Sequence, residues 1–181
     1  MNRKSDNIPI CVDLDGTLIR NDLTLWSMKA FVQKKVFNIF KIIFFVISKG
    51  WAYTKKSIAQ KIDLDISILE YNKKFVDFLV KKRRLGTPLF LATASDEIYA
   101  NKVADDLGIF DGVFASNGDV NLAAETKAET LCAIFGEKGF VYAGNSKDDI
   151  EVWEKACGAI LVTPSKAALA GMKGKDYQLF V

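Results

Sequence analysis

IPICVDLDGTL, at residues 8–18, sets two carboxylates at the end of a short apolar run. Residues 8–12 are rich in Ile and Val, which predicts a buried parallel strand. Asp13 and Asp15 leave its carboxyl end, and Gly16-Thr17 break the strand there. Open α/β sheets hold their ligands at that end of the strands. Alternation along a strand sends Asp13 and Asp15 to one side and Leu14 to the other. Two like charges that close are costly unless a cation or a phosphate chemistry uses them. Asp-x-Asp-Gly also occurs in turns and in calcium loops, but the calcium spacing lacks its closing Glu at the twelfth position.

Composition narrows the chemistry. The 181 residues hold one core plus a modest insertion, and with 50% apolar and 26% charged residues the chain is a folding one. Residues 1–9 are polar, so no signal peptide is expected. Cys11, Cys132 and Cys157 are scattered without paired spacing and are expected to be small core residues in a reducing, cytoplasmic compartment. There is no histidine, which excludes a Ser-His or Cys-His nucleophile, a His-bearing zinc site and a His general base. Acid–base work must therefore fall to carboxylates, Lys, Tyr or Cys.

Downstream, strands alternate with helices. Residues 87–92 (TPLFLA) predict a second buried strand after a helix stop at Gly86, and residues 96–107 a helix ending at Gly108. Residues 111–115 predict a strand and 126–135 a helix closed by Gly136. A strand at 140–143, a helix at 148–156 and a final strand at 159–162 complete the series. This alternation implies an α/β fold with a doubly wound parallel sheet.

A different kind of segment separates the first two strands. Residues 23–62 contain eight lysines and no Asp or Glu, although the whole chain is only +3, so the remainder is net acidic. Large apolar side chains are densest at 36–47 (VFNIFKIIFFVI), and Lys34, Asn38, Lys41 and Ser48 form a narrow polar stripe at helical spacing. The run is too short, and too interrupted by Lys41, to span a membrane. It predicts a small helical cap of two or three helices, with residues 23–70 as the insertion and 1–22 plus 71–181 as the α/β core.

Taken alone, Thr93 at the end of LFLATAS reads more readily as a strand-end cap than as a phosphoryl donor, and Lys127 in KAETLCAIFG reads equally as a solvated lysine or as a site residue. Together with IPICVDLDGTL and the loop GNSKDD at 144–149, in this order, they resemble the haloacid dehalogenase-like hydrolases. The resemblance implies a Rossmann-like core, Mg²⁺ as cofactor and an aspartyl-phosphate intermediate. Asp13 is then the nucleophile and Asp15 the acid–base group. Thr93 and Lys127 hold the transferring oxygens, and the metal is held by Asp13, the Asp15 backbone carbonyl, Asn145 and Asp149. The family usually has Asp where this chain has Asn145, so the metal site loses a charge.

Three longer stretches, YNKKFVDFLVKKRRLGTPLFLATASD, FDGVFASNGDVNLAAETKAETL and GFVYAGNSKDDIEVW, are similar to hydrolase domains fused ahead of ubiquinone-type membrane prenyltransferases. That similarity runs from residue 8 to about residue 164, and implies a free-standing relative or an excised domain. The expected activity is Mg²⁺-dependent phosphomonoester hydrolysis of a phosphorylated small molecule or a lipid-linked phosphate. The expected location is cytoplasmic, peripheral at the inner face of the membrane. A membrane surface or a membrane prenyltransferase is the expected partner, and no nucleic acid is. Two rival readings stay open: a phosphatase for a soluble metabolite such as phosphoserine, and a membrane-surface binding module with a vestigial site.

Overall fold

A computed structural model describes residues 8–181; residues 1–7, most of the segment in which no signal peptide is expected, lie outside the described residues. The first strand, β1 (Ile10–Val12), is wholly buried. It pairs in parallel with β2 (Leu89–Asp96) on one side and β4 (Val141–Gly144) on the other. With β3 (Gly112–Ser116), β5 (Gly158–Val162) and β6 (Gln178–Phe180) it makes a six-stranded parallel sheet of order β3-β2-β1-β4-β5-β6. The order reverses between β1 and β4, so a crevice opens at their carboxyl ends.

Strand alternation explains why both faces are covered. Ile10 and Val12 of β1, Leu89 and Leu91 of β2, and Ile160 and Val162 of β5 enter one apolar cluster. Cys11, Ala92, Ala159 and Leu161 enter the other. Helices α3 (Lys73–Arg84) and α4 (Glu97–Leu107) cover the first face, contributing Phe75, Leu79 and Val103. Helices α5 (Ala124–Phe135) and α6 (Ile150–Lys155) cover the second, contributing Leu131, Val152 and Trp153. Burying each large apolar side chain stabilises the fold by roughly 1.5–3 kcal/mol.

Several sequence boundaries shift. The strand at 159–162 is not the last, because α7 (Lys166–Gly171) and β6 follow it. Both are short, and β6 is an edge strand with two of its three residues exposed, so neither carries a strong apolar pattern. The helix expected from 126 begins at Ala124, and the one expected at 148–156 is a 3-10 turn, Lys147–Asp149, followed by α6. Asp96 is the N-cap of α4, its side chain accepting from Ile98 N at 3.1 Å.

The basic segment leaves the core after Ile19 and returns beside its own exit. Arg20 N donates to Glu70 O at 2.8 Å and Asn72 N to Leu18 O at 2.9 Å. Between them run α1 (Leu23–Lys34) and α2 (Asn38–Ala59), with α2 bent at Gly50. Gly50 has φ of 81°, a left-handed value that interrupts the helix and that glycine adopts without strain. Phe31, Ile42, Ile58 and Ile62 form a small core of their own between the helices.

Of the polar stripe read from the sequence, Lys34, Lys41 and Ser48 are exposed, and only Asn38 is corrected here. Asn38 faces inward and is buried, donating from Nδ2 to Phe31 O at 2.8 Å. Phe31 lies in the last turn of α1, where helix carbonyls lack an intrahelical partner, so a buried amide there has a structural task. Phe37, Phe40, Phe44 and Ile47 are turned to solvent.

Candidate active site

Asp13 and Asp15 stand at the crevice between β1 and β4, in a cavity of about 470 Å³. Lys127, Asn145 and Asp149 line the same cavity, as do Trp51 and Lys55 from the second half of α2. A larger cavity of about 720 Å³ shares Gly16 and Arg20 with it but contains neither Asp13 nor Asp15. The chemistry-bearing residues therefore select the smaller one.

The two carboxylates sit in different settings. Asp13 is buried, and Lys127 Nζ donates to its Oδ1 at 2.8 Å. Its Oδ2 meets only the Thr17 hydroxyl, at 3.3 Å. Burial pushes the Asp13 carboxyl up to about 7, with Lys127 pulling it down and Asp149 adding to the rise. Asp15 is held from the insertion side: Leu23 N, at the first turn of α1, donates to its Oδ1 at 2.7 Å. Ser95 Oγ donates to Asp15 Oδ2 at 2.6 Å. Burial raises the Asp15 carboxyl as well, and those two hydrogen bonds oppose the rise.

Lys127 is fully buried and lies in the first turns of α5. Besides Asp13 it donates to Tyr142 Oη at 2.8 Å, and the Tyr142 hydroxyl donates to Asp149 Oδ1 at 2.8 Å. Lys127 Nζ is also 3.7 Å from Asp149 Oδ1. Burial works against the lysine charge, but Asp13 and Asp149 outweigh it and the Lys127 pKa is raised. A buried ammonium flanked by two carboxylates is a compensated arrangement, in which each charge answers another.

Asp149, expected among the metal ligands, has both carboxylate oxygens engaged in hydrogen bonds. Its Oδ2 accepts from Asn145 N and Ser146 N, both at 2.9 Å, and from Ser146 Oγ at 3.2 Å. With Oδ1 taken by Tyr142, both oxygens are engaged, and Asp149 holds Lys127 and the loop in position. Gly144 makes this possible, since a Cβ there would fall 2.6 Å from Asp149 Oδ2. Asn145 in turn packs over Gly16, whose φ is 78° and whose Cβ would fall 2.2 Å from Asn145 Nδ2. The Thr17 hydroxyl lies 3.3 Å from Asn145 Oδ1, so Asp13 Oδ2 and Asn145 Oδ1 converge on one small space.

Thr93 lies behind the cavity wall and does not line it. It is fully buried, with its hydroxyl 3.4 Å from Asp15 Oδ2 and its oxygen accepting from Ser95 N at 3.0 Å. The pairing of β2 with β3 shifts register between Ala92 and Asp96, and Ser95, within that stretch, lines the cavity. Ser95, Thr17, Tyr142, Trp51 and Lys55 were not singled out from the sequence. Tyr142 had a detectable signal, a phenol inside a strand expected to be buried, which needs a hydrogen-bond partner. Lys55 had none. Its Nζ donates to Ala94 O at 2.6 Å and to Asn121 Oδ1 at 2.7 Å, and burial lowers its pKa.

No protein-family model matches the chain. The uncharacterized protein y4nM of Sinorhizobium fredii is 34% identical over 158 residues, 86% of this chain and 30% of that protein. The chain thus spans less than a third of that relative. A protein of unknown function from Bordetella pertussis Tohama I has a similar structure, with a TM-score of 0.72 at 13% identity over 97% of this chain and 98% of that one. Phosphoserine phosphatase, solved as a phospho-aspartyl intermediate analogue, gives a TM-score of 0.64 at 19% identity over 96% of this chain and 93% of that one. Over nearly its whole length, the chain thus shares the α/β fold of phosphoserine phosphatase.

Proposed function

We propose that this protein is a Mg²⁺-dependent phosphohydrolase that cleaves phosphate monoesters through an aspartyl-phosphate at Asp13. The observation that carries this reading is the buried Asp13–Lys127 pair at the β1/β4 crevice, with Asp15 two residues on in the same cavity. The fold it shares with phosphoserine phosphatase adds support, since that enzyme has been solved as a phospho-aspartyl intermediate analogue.

The donor set suits a small hard cation. Among the described residues, no cluster of three or more His, Cys, Asp or Glu side chains is placed to hold a metal. Mg²⁺ does not require one, because it keeps several waters and binds through one or two carboxylates plus substrate phosphate. Asp13 Oδ2 and Asn145 Oδ1 converge within reach of one hydroxyl and are otherwise unengaged, and the Asp15 carbonyl is the third candidate donor. When bound there, Mg²⁺ would offset the repulsion between carboxylate and phosphate.

Asp13 attacks phosphorus in line and the ester oxygen departs as the P–O bond breaks. Asp15, whose burial favours the protonated form, gives its proton to that oxygen. It then takes a proton from the water that attacks the phosphoaspartate, which restores Asp13 and releases phosphate. Lys127 holds Asp13 in place and stabilises the charge that builds on the transferring oxygens. Ser95, with Thr93 behind it, orients Asp15.

For the substrate we favour a lipid-linked phosphate, because residues from the apolar insertion, Trp51 among them, form part of the cavity wall. A membrane prenyltransferase as partner, at the cytoplasmic face of a membrane, belongs to the same proposal and rests on the sequence similarity alone. Hydrolysis of a soluble phosphate such as phosphoserine is the second reading, favoured by the shared fold. The test is turnover of a generic aryl phosphate with and without Mg²⁺, followed by a screen of soluble and lipid-linked phosphates. Absence of Mg²⁺-dependent release of phosphate from every substrate would leave a binding module with a vestigial site.

A further inference from the structure

We infer that the outer face of the first half of α2 is a docking face for an anionic lipid surface. Phe37, Phe40, Phe44 and Ile47 are 79%, 66%, 64% and 81% exposed. Their spacing of three, four and three residues sets them along one side of the helix. Phe37 and Phe40 stack, with ring centroids 6.5 Å apart, so the stripe is continuous at its start. Side chains of this size, contiguous and in water, mark an interaction surface rather than ordinary surface apolarity.

Charge decides between occupants. A 3-4-3 stripe would also suit a second copy of the same helix, in the manner of a coiled coil. Residues 23–62, however, carry eight lysines and no acid, so self-docking would bring like charges together. Lys34 at the end of α1, Lys35 in the turn that follows, and Lys41 and Lys49 on α2 are all exposed. Negative headgroups supply the missing complement, and aromatic rings with flanking lysines suit the headgroup boundary. Among the described residues no helix is long and apolar enough to cross a membrane, so α2 would lie on the surface. Beyond the bend at Gly50, the same helix carries Trp51 and Lys55 into the wall of the cavity. The docking face and part of the cavity wall thus belong to one helix, a link whose use rests on the phosphohydrolase reading, whereas the docking itself does not.

Co-sedimentation of the full chain tests the inference, with vesicles of equal parts phosphatidylglycerol and phosphatidylcholine or of phosphatidylcholine alone, at low and high salt. Binding to the anionic vesicles is expected to weaken with salt and to persist in part. Each substitution in the series Phe37→Ser, Phe40→Ser, Phe44→Ser and Ile47→Ser should weaken partitioning by about tenfold. Lys34→Gln, Lys35→Gln, Lys41→Gln and Lys49→Gln should each weaken it about fivefold at low salt and less at high salt. Circular dichroism of the combined Ser variant reports its fold, and because vesicle binding is read apart from turnover, loss of one does not imply loss of the other. The inference is overturned if the wild type ignores anionic vesicles at low salt or if the combined Ser variant binds as the wild type does. It is equally overturned if the stripe instead mediates a dimer, seen as concentration-dependent sedimentation that the Ser variant abolishes.

Discussion

At the carboxyl end of β1, charged side chains are buried, and on the outer face of α2, aromatic side chains are in water. The first region inverts the usual sorting of residue types inside the protein, and the second inverts it outside. Inside, the inversion is compensated: Asp13, Lys127, Tyr142 and Asp149 form one chain of hydrogen bonds. Outside it is uncompensated, since no part of the described chain covers Phe37, Phe40, Phe44 or Ile47. A satisfied buried network specifies a geometry, which chemistry needs, whereas an uncovered apolar face specifies only that something else must cover it.

The comparison breaks first at Asp13. Asp13→Asn keeps the volume and the fold but removes the nucleophile, and turnover should fall about 10³-fold or more. Retention of a tenth of the wild-type rate on an aryl phosphate would separate the buried network from the chemistry. Next comes Lys127→Met, which leaves two buried carboxylates, Asp13 and Asp149, without their cation. Removing one partner of a buried pair costs about 3–5 kcal/mol, to be read by urea unfolding. The sign with pH follows from the Asp13 carboxyl, already pushed up to about 7. A carboxyl raised on folding favours the fold while protonated, so stability declines as pH rises from the ordinary carboxylate range through the folded value. The deficit of the Met variant should therefore shrink as the solution is acidified.

How far the two regions were legible in the sequence follows from the same contrast. Asp13 and Asp15 could be placed because they follow directly on a short apolar strand, which puts them at its carboxyl end; the alternation expected of them does not apply, since β1 ends at Val12 and both lie beyond it. Lys127 and Asn145 could be placed by order along the chain, and the structure sets both in the same cavity. The partners of Asp149 could not, because they depend on a loop that folds back over Gly144. For α2, helical periodicity located a polar stripe of which Lys34, Lys41 and Ser48 are exposed and Asn38 is buried. Asn38 departs from the stripe through one bond to the end of α1, a contact between elements that no single-helix pattern contains.

A smaller effect probes the middle of the buried network. Tyr142→Phe removes the hydroxyl between Lys127 and Asp149 but leaves those two charges 3.7 Å apart. The expected loss is about 1–2 kcal/mol of stability, with turnover reduced about tenfold or less. A loss as large as that of the lysine variant would mean that the phenol, and not the ion pairing, keeps Asp13 oriented.

The smallest effect, and the one that best sharpens the comparison, is Asn145→Asp. Asn145 stands at the rim of the network, with its Oδ1 3.3 Å from the Thr17 hydroxyl that also meets Asp13 Oδ2. The substitution is isosteric, so the close packing against Gly16 is retained. Without metal it adds a further carboxylate to a cavity that already holds Asp13, Asp15 and Asp149, and like charges held close together cost stability. With Mg²⁺ that charge becomes a better ligand, and apparent affinity should rise by about tenfold, since hard-cation affinity follows ligand charge. Thermal unfolding across a Mg²⁺ titration reads both halves: a lower melting temperature than wild type in chelator, and a steeper rise with added metal. A lower starting point with an unchanged Mg²⁺ response would place Asn145 beside the metal but not on it.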